Sequence, residues 1–473
     1  MTESTAPLSL AGTPAASTLG YSSWVLGQAA REPLYVLVVI YIFFPYFSNV
    51  VVGDPVQGQA LIGYLSAGAG MFMALTIPFL GAVADKNGRR KPWIILSYSI
   101  LGVAAIGLWW VLPADGGLGV TWGSVLILVF LIAFGYAEVF HNAMLPSVAP
   151  ADKTGLISGM GFSIANLAAI MLLLLVLFAF ALPGTLDWAF LPSQALFGID
   201  PSVNGHDRIV GPLGGIWLFL AIMPLLLFTP DGEASKRPLS DDIREGLKDV
   251  LTTIRQLKHY SNIGRYLLAR MFFNDGMVGV VIFSGVYASS TFGWDTTSML
   301  ILGLCTTISA MFGVFLGGLL DDRFGSLATL KIALGTMILL MLMLISIQPD
   351  TLFYIVPVSE EAVWSSPYFG TIAEIVYFLS FQVFASLFLT ALSASRTLMA
   401  RISPPEKVTQ FFGMYSLSGS VTAFLAPLLV GSMTALFQSQ RVGFASLIVL
   451  MVIGGIILLK VKQEKVAAAD IHQ

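Results

Sequence analysis

The sequence predicts an all-α membrane protein of twelve transmembrane helices arranged as two six-helix halves. Three observations carry that prediction: an apolar composition, twelve apolar runs of bilayer length, and an internal repeat. Apolar residues make up 56% of the 473 residues and charged ones 11%, against about 25% charged in soluble domains. Mean hydropathy is +0.84. A water-soluble globule cannot hide that much apolar surface, so lipid must be the solvent for most of the chain. The formal charge of −3 argues against nucleic acid as a partner. The single cysteine, Cys305, lies in an apolar run, so no intrachain disulfide is expected. Residues 1–20 are rich in Ser, Thr, Ala and Pro and carry no Lys or Arg. They read as a disordered tail rather than a signal or transit peptide.

A helix crossing the bilayer core needs roughly 20 mostly apolar residues. Such runs centre on 24–50, 60–84, 93–112, 121–145, 157–182, 211–229, 264–290, 296–320, 327–347, 367–398, 409–436 and 442–462. The first six fill an N-terminal half, 21–229, and the last six a C-terminal half, 264–463, followed by a tail at 464–473. An even count puts both termini on one side. Lys and Arg cluster in the 85–92 loop, in 230–265, in 401–407 and at Lys460, Lys462 and Lys465. The opposite loops hold only Arg208 and Arg441, two of 24, and are instead acidic, with Asp115, Asp187, Asp200, Asp207, Asp350, Glu360 and Glu361. The positive-inside rule then places the termini and the middle segment in the cytoplasm, in a multi-pass protein of the cell (inner or plasma) membrane.

The middle segment, 230–263, links the halves. From Ser240, a candidate N-cap, apolar residues recur at Ile243, Leu247, Val250, Leu251, Ile254 and Leu257, with Lys248, Arg255 and Lys258 beside them. That is one face of an amphipathic helix lying on the cytoplasmic leaflet, read as a tether with regulation as the alternative.

The halves are copies. Pro150, Asp152, Lys153, Gly159 and Met160 face Pro404, Glu406, Lys407, Gly413 and Met414, each 254 positions on. Gly81, Asp85, Lys86 and Gly88 face Gly318, Asp322, Arg323 and Gly325, each 237 positions on. The run Gly81-Ala-Val-Ala-Asp85-Lys86-Asn-Gly88-Arg89-Arg90-Lys91 matches, at every specified position, the helix 2–3 signature of the major facilitator superfamily, which the chain therefore resembles. Its glycines permit a tight turn and close helix approach. Asp85 with the basic residues can form a charge network that one transport state keeps and the other breaks. The second copy loses the trailing basic run. A purely topogenic basic loop would explain the Arg and Lys but not Asp85 and the glycines.

Three further stretches are similar to the vacuolar-amino-acid-effluxer-like branch of that superfamily, also called the unknown major facilitator family. They are Ala269-Arg-Met-Phe-Phe-Asn274-Asp275-Gly with Gly285-Val-Tyr-Ala and Thr-Phe-Gly293-Trp, then Leu319-Leu-Asp-Asp-Arg-Phe-Gly325, then Ser393-Ala-Ser-Arg396, Pro404-Pro-Glu, Phe411-Phe-Gly413 and Leu417-Ser-Gly419. The resemblance implies the major facilitator fold, with helices 1, 4, 7 and 10 lining a cavity near mid-membrane, and an amino acid as the nearest cargo class.

An ionisable residue at mid-bilayer costs several kcal/mol and marks a functional site by default. Here Arg31 and Glu32 lie in helix 1, Glu138, His141 and Asn142 in helix 4, Arg270, Asn274 and Asp275 in helix 7, and Glu374 and Arg396 in helix 10. Glu138 with Asn142, and Arg270 with Asn274, share a helix face at i, i+4. These are the helices that the resemblance places around the cavity, so Arg31, Glu32, Glu138, His141, Asn142, Asn274, Asp275 and Glu374 are candidate cargo or proton residues. Arg396 joins the gating set. The competing reading makes Arg31 with Glu32 or Glu138, and Arg270 with Asp275, structural or gating ion pairs.

No nucleotide-binding loop, metal cluster or nucleophile–base set is found in the sequence, so no cofactor, metal or enzymatic activity is expected. The sequence reads as a monomeric secondary active transporter in the lipid bilayer, moving a small solute by alternating access. An amino acid or related polar metabolite is the favoured cargo, and protons are a candidate co-substrate. A carrier of a larger amphipathic metabolite (lipid, glycoside or peptide-like) is the alternative, suited by the aromatic loop Leu182 to Ile199. A non-transporting receptor and a membrane-embedded enzyme are weaker readings.

Overall fold

In a bilayer core no water serves an open N–H or C=O, so each apolar run must close its own backbone hydrogen bonds as a helix. The computed structural model describes residues 7–113, 116–185, 191–232, 260–404 and 408–463. Among them, 12 helices are long and apolar enough to cross a membrane. They are α1 (Thr18–Val51), α2 (Pro55–Asn87), α3 (Lys91–Trp110), α4 (Gly119–Val148), α5 (Thr154–Ala181), α6 (Gly205–Phe228), α7 (Ser261–Phe292), α8 (Thr296–Phe324), α9 (Ser326–Ser346), α10 (Ile372–Ile402), α11 (Phe411–Phe437) and α12 (Gln440–Leu459). Every expected span is present, its ends shifted by at most a turn or two. The expected amphipathic linker helix lies outside the described residues, as do Glu406 and Lys407.

Two expectations change. Residues 7–17, expected as part of an unstructured tail, fold onto the α4–α5 turn. Ser9 pairs with Pro150, and Ala16 N donates to Val148 O at 3.0 Å. Ser17 then caps α1, its Oγ accepting from Gly20 N at 3.2 Å. Composition cannot reveal a segment held by its backbone. Between α9 and α10 the loop holds a short antiparallel pair, β1 (Thr351–Leu352) and β2 (Val356–Pro357), too brief to leave an alternating pattern.

The chain forms two compact units. One comprises Met1–Val250, Val281–Leu304 and Pro427–Gly443; the other comprises Leu251–Val280, Cys305–Ala426 and Phe444–Gln473. In the first unit α1 packs on α4, α5 and α6, and α3 packs on α4 and α6. In the second, α9 packs on α10 and α12. The α9 contacts repeat those of α3, as two copies of one six-helix plan require. A matching cap closes each copy. The Asp231 carboxylate, just past α6, accepts from Arg90 N at 2.8 Å and Lys91 N at 3.2 Å. Gln463, just past α12, accepts from Leu327 N at 3.0 Å. Both serve the open N–H groups at a helix start.

Prolines shape the two helices that matter most for the site. Pro33 in α1 has no N–H for the carbonyl four residues back, Ala29 O, and Trp217 Nε1 on α6 fills that place at 2.9 Å. Beyond it, α1 widens into π-type turns over Tyr35–Tyr41 and Phe47–Val51. In α11, Pro427 has no N–H to give Ala423 O, and the helix breaks between Val408–Val421 and Leu425–Phe437. Thr422 stands in that break.

Candidate transport site

In the first unit, α1 and α4 build a charged cluster around Arg31, which is 1% exposed. Its Nη2 meets Glu32 Oε2 at 3.5 Å, and its guanidinium lies 5.3 Å from the centre of the Phe134 ring. Tyr35 packs on Phe134, ring centres 5.0 Å apart. Nε and Nη1 of Arg31 have no hydrogen-bond partner. Glu138 reaches Arg31 through its charge and, like Asn142, is exposed, while the Glu32 side chain is 29% exposed. One buried cation therefore faces two carboxylates that solvent can reach, a formal excess of one acidic group.

His141, expected among the cavity residues, belongs to the helix packing instead. It is 0% exposed. Its Nε2 contacts Trp24 O at 2.9 Å, Trp24 Nε1 donates to His141 O at 2.9 Å, and the two rings stack at 4.7 Å. The pair staples α4 to α1. Glu374 is likewise corrected. It stands in the first turn of α10 and forms a capping box with Thr371, whose N donates to Glu374 Oε2 at 2.9 Å.

In the second unit, the Arg270–Asp275 ion pair of the competing reading does not form. Arg270 Nη1 donates to Tyr415 O at 2.8 Å and Ser418 Oγ at 2.9 Å, and its guanidinium lies 3.7 Å from the centre of the Tyr415 ring. Asp275 is 3% exposed and lies near the Thr422 hydroxyl, while its Oδ2 has no partner. Asn274 is buried beside them. A hydroxyl chain that sequence reading missed runs close by. Tyr266 OH lies 2.6 Å from Ser395 Oγ, and Ser395 Oγ lies 3.1 Å from Tyr415 OH. Ser395 stands 254 positions after His141, the offset of the repeat, and it too ties the fourth helix of its half to the first.

The signature loops come out unequally. The side chains of Gly81, Asp85 and Lys86 lie outside the described ones. Gly88 makes the turn at φ 72°, Arg90 Nη1 donates to Ser147 Oγ at 3.2 Å, Lys91 Nζ donates to Leu226 O at 2.8 Å, and Arg89 is exposed. In the second copy Gly318 meets no neighbour and Gly325 turns at φ 82°, while Asp322 and Arg323 are exposed. The buried acid is the preceding residue, Asp321, which accepts from Ser326 Oγ at 2.7 Å and pairs with Arg401 at 3.0 Å. The contacts expected of Asp322 in the gating set are made by Asp321 instead, because the helix turns the first of the two acids inward. Arg396 is exposed near the end of α10.

At the end of the first unit formed by the α1–α2, α7–α8 and α11–α12 turns, neutral side chains make a continuous latch. Asn49 Nδ2 donates to Ser289 Oγ at 3.0 Å, and Ser290 Oγ donates to Asn49 Oδ1 at 2.9 Å. Gln440 Nε2 donates to Pro55 O at 2.7 Å, and Gln59 Nε2 donates to Thr434 Oγ1 at 2.8 Å and Gln440 O at 2.9 Å. Glycines allow the contact. A Cβ on Gly63 would meet the Gly431 Cα at 2.6 Å, and one on Gly303 would meet the Tyr41 ring at 2.8 Å. Hydropathy gives no sign of such a latch, since lone amides in apolar runs look alike whether or not they pair.

Two six-helix copies, charged residues set within the first, fourth, seventh and tenth helices, and a polar latch at one end are the features of a transporter of the major facilitator type. The family described as "Vacuole effluxer Atg22 like" matches residues 49–470, and the chain belongs to it. Over 462 residues, 96% of each chain, it is 24% identical to an uncharacterized MFS-type transporter, YxiO, of Bacillus subtilis (strain 168). Over 252 residues, 52% of this chain and 42% of the other, it is 23% identical to autophagy-related protein 22 of Cryptococcus neoformans var. neoformans. Among solved structures it is similar to a D-xylose-proton symporter, with a TM-score of 0.65 at 15% identity covering 94% and 98% of the two chains. It is also similar to the nucleoside transporter NupG, with a TM-score of 0.62 at 12% identity covering 95% and 100%. At these identities the structural likenesses show the fold.

Proposed function

We propose that the protein is a secondary active transporter that moves a small amine-bearing solute, an amino acid or a close relative, by alternating access. The observation that carries this reading is the charge excess around Arg31. Glu32 and Glu138 offer two carboxylates to solvent, and the buried guanidinium neutralises one of them. The remaining negative charge suits an ammonium group, and Tyr35 and Phe134 beside it supply aromatic faces that attract cations. Family membership points the same way by its effluxer description. The latch supports alternating access, since a path shut at one end by neutral hydrogen bonds can open there without separating buried charges. The positive-inside pattern places that latched end away from the cytoplasm, with both termini cytoplasmic.

Solute counterflow in proteoliposomes tests the reading. Amino acids with a free α-amine should exchange, their N-acetylated forms should not, and Glu138→Gln should slow exchange at least tenfold. Equal exchange of free and acetylated forms would remove the ammonium from the account.

A further inference from the structure

The carboxylates of the described residues divide by partner. Asp54 and Asp231 cap helix starts, Glu374 closes a capping box, Asp207 bonds Thr296, and Asp321 holds Ser326 and Arg401. Glu32 meets Arg31, and Glu138 is exposed, as are Asp152, Asp200, Asp295, Asp322, Asp350, Glu360 and Glu361. Asp275 remains. Among the described residues its Oδ2 is the one buried carboxylate oxygen without a hydrogen-bond partner.

Asp275 is 3% exposed, and the helix around it packs on apolar side chains. Gly276 packs against Met451 and Leu447 of α12, and Gly279 against Leu447 and Ala426. The stretch Leu447–Leu459 of α12 carries no titratable group. The charged group that acts on Asp275 is Arg270 of the same helix, which spends its Nη1 on Tyr415 O and Ser418 Oγ of α11. No group of three or more His, Cys, Asp or Glu that could hold a metal ion occurs among the described residues.

Thr422, freed by the break in α11, completes the site. Its hydroxyl donates to Met271 O and Ser418 O, each at 3.4 Å, and lies near enough to Asp275 to interact with its carboxyl. A hydroxyl both donates and accepts. It can donate to a charged Asp275, and it can accept from the acid form while turning its own hydrogen to either carbonyl. Both proton states of the carboxyl thus keep a partner without a change of fold.

The geometry points to Asp275 as the binding site of the coupling proton, held on a carboxyl that Thr422 serves in both states. The O–H bond forms when the proton enters and breaks when it leaves to water on the other side, and no other bond changes. The inference rests on the transporter reading above and gives its coupling ion a place in the second unit, apart from the cargo carboxylates of the first.

Dicyclohexylcarbodiimide, which attacks protonated carboxyls in apolar surroundings, provides a test that needs no cargo. In the purified full chain, peptide mass spectrometry should find Asp275 modified, with the yield falling as pH is raised and no label at that position in Asp275→Asn. In proteoliposomes, Asp275→Asn should lose pH-driven accumulation and keep counterflow, since exchange moves no net proton. Absence of label at Asp275 at every pH overturns the proposal, and so does gradient-driven accumulation surviving in Asp275→Asn. Wild-type protein that labels at Asp275 but exchanges no amine-bearing solute would contradict the cargo reading and leave the proton site standing.

Discussion

Arg270 and Asp275 stand five positions apart on α7, and they do not pair. At 3.6 residues per turn, five residues carry Asp275 about 140° around the helix from Arg270. Arg270 is turned toward α11, where it stacks on Tyr415. Asp275 points to Thr422 and keeps one oxygen open. Opposite charges close in sequence invite the reading of an ion pair, but the helical angle decides against it. Neutralising both should therefore rescue nothing. The double variant Arg270→Ala, Asp275→Asn should accumulate solute no better than Asp275→Asn alone, measured as gradient-driven uptake. Recovery in the double variant would restore the ion pair.

His141 and Trp24 join α4 to α1 through two reciprocal bonds and a stacked contact. His141→Ala leaves Trp24 O buried without that partner, a loss of about 1–3 kcal/mol. The melting temperature in detergent should fall, and counterflow in the folded fraction should persist. A variant that melts normally and no longer exchanges would return His141 to the transport chemistry.

Asn49 and Ser289 meet at the latch, 3.0 Å apart. With Cys305→Ala as background, Asn49→Cys with Ser289→Cys should cross-link on oxidation and stop uptake, and reductant should restore it. Full uptake by completely cross-linked protein would show that this end does not open during transport.

Asp231 holds the start of α3 through the backbone of the signature loop. Asp231→Ala should cost about 1 kcal/mol, as loss of a helix cap does, read as a lower melting temperature. An unchanged melting temperature would mean that water replaces the carboxylate without loss.

Much of the fold was legible in the residues, because hydropathy reports which solvent a segment meets and twelve runs met lipid. The repeat was legible at Gly88 and Gly325, where a turn with positive φ needs glycine in both copies. Partners were harder to read. Asp321 and Asp322 are adjacent and chemically equal, and only the helix phase shows which is buried. Glu374 carried a usable signal, the Thr371-Ile-Ala-Glu374 pattern of a capping box. Trp217 carried none, since its role depends on a carbonyl that Pro33 leaves open on another helix. The break at Thr422 was foreshadowed by Pro427, but its closeness to Asp275 is a fact of packing.

The central claim is that solute moves uphill at the expense of a proton gradient. The direct measurement is uptake of a radiolabelled amino acid into proteoliposomes of the wild-type chain, with and without an imposed pH difference. The account predicts accumulation above the external concentration under the gradient, collapsing to simple equilibration when a protonophore is added. Uptake that reaches the same equilibrium level with and without the gradient would contradict it.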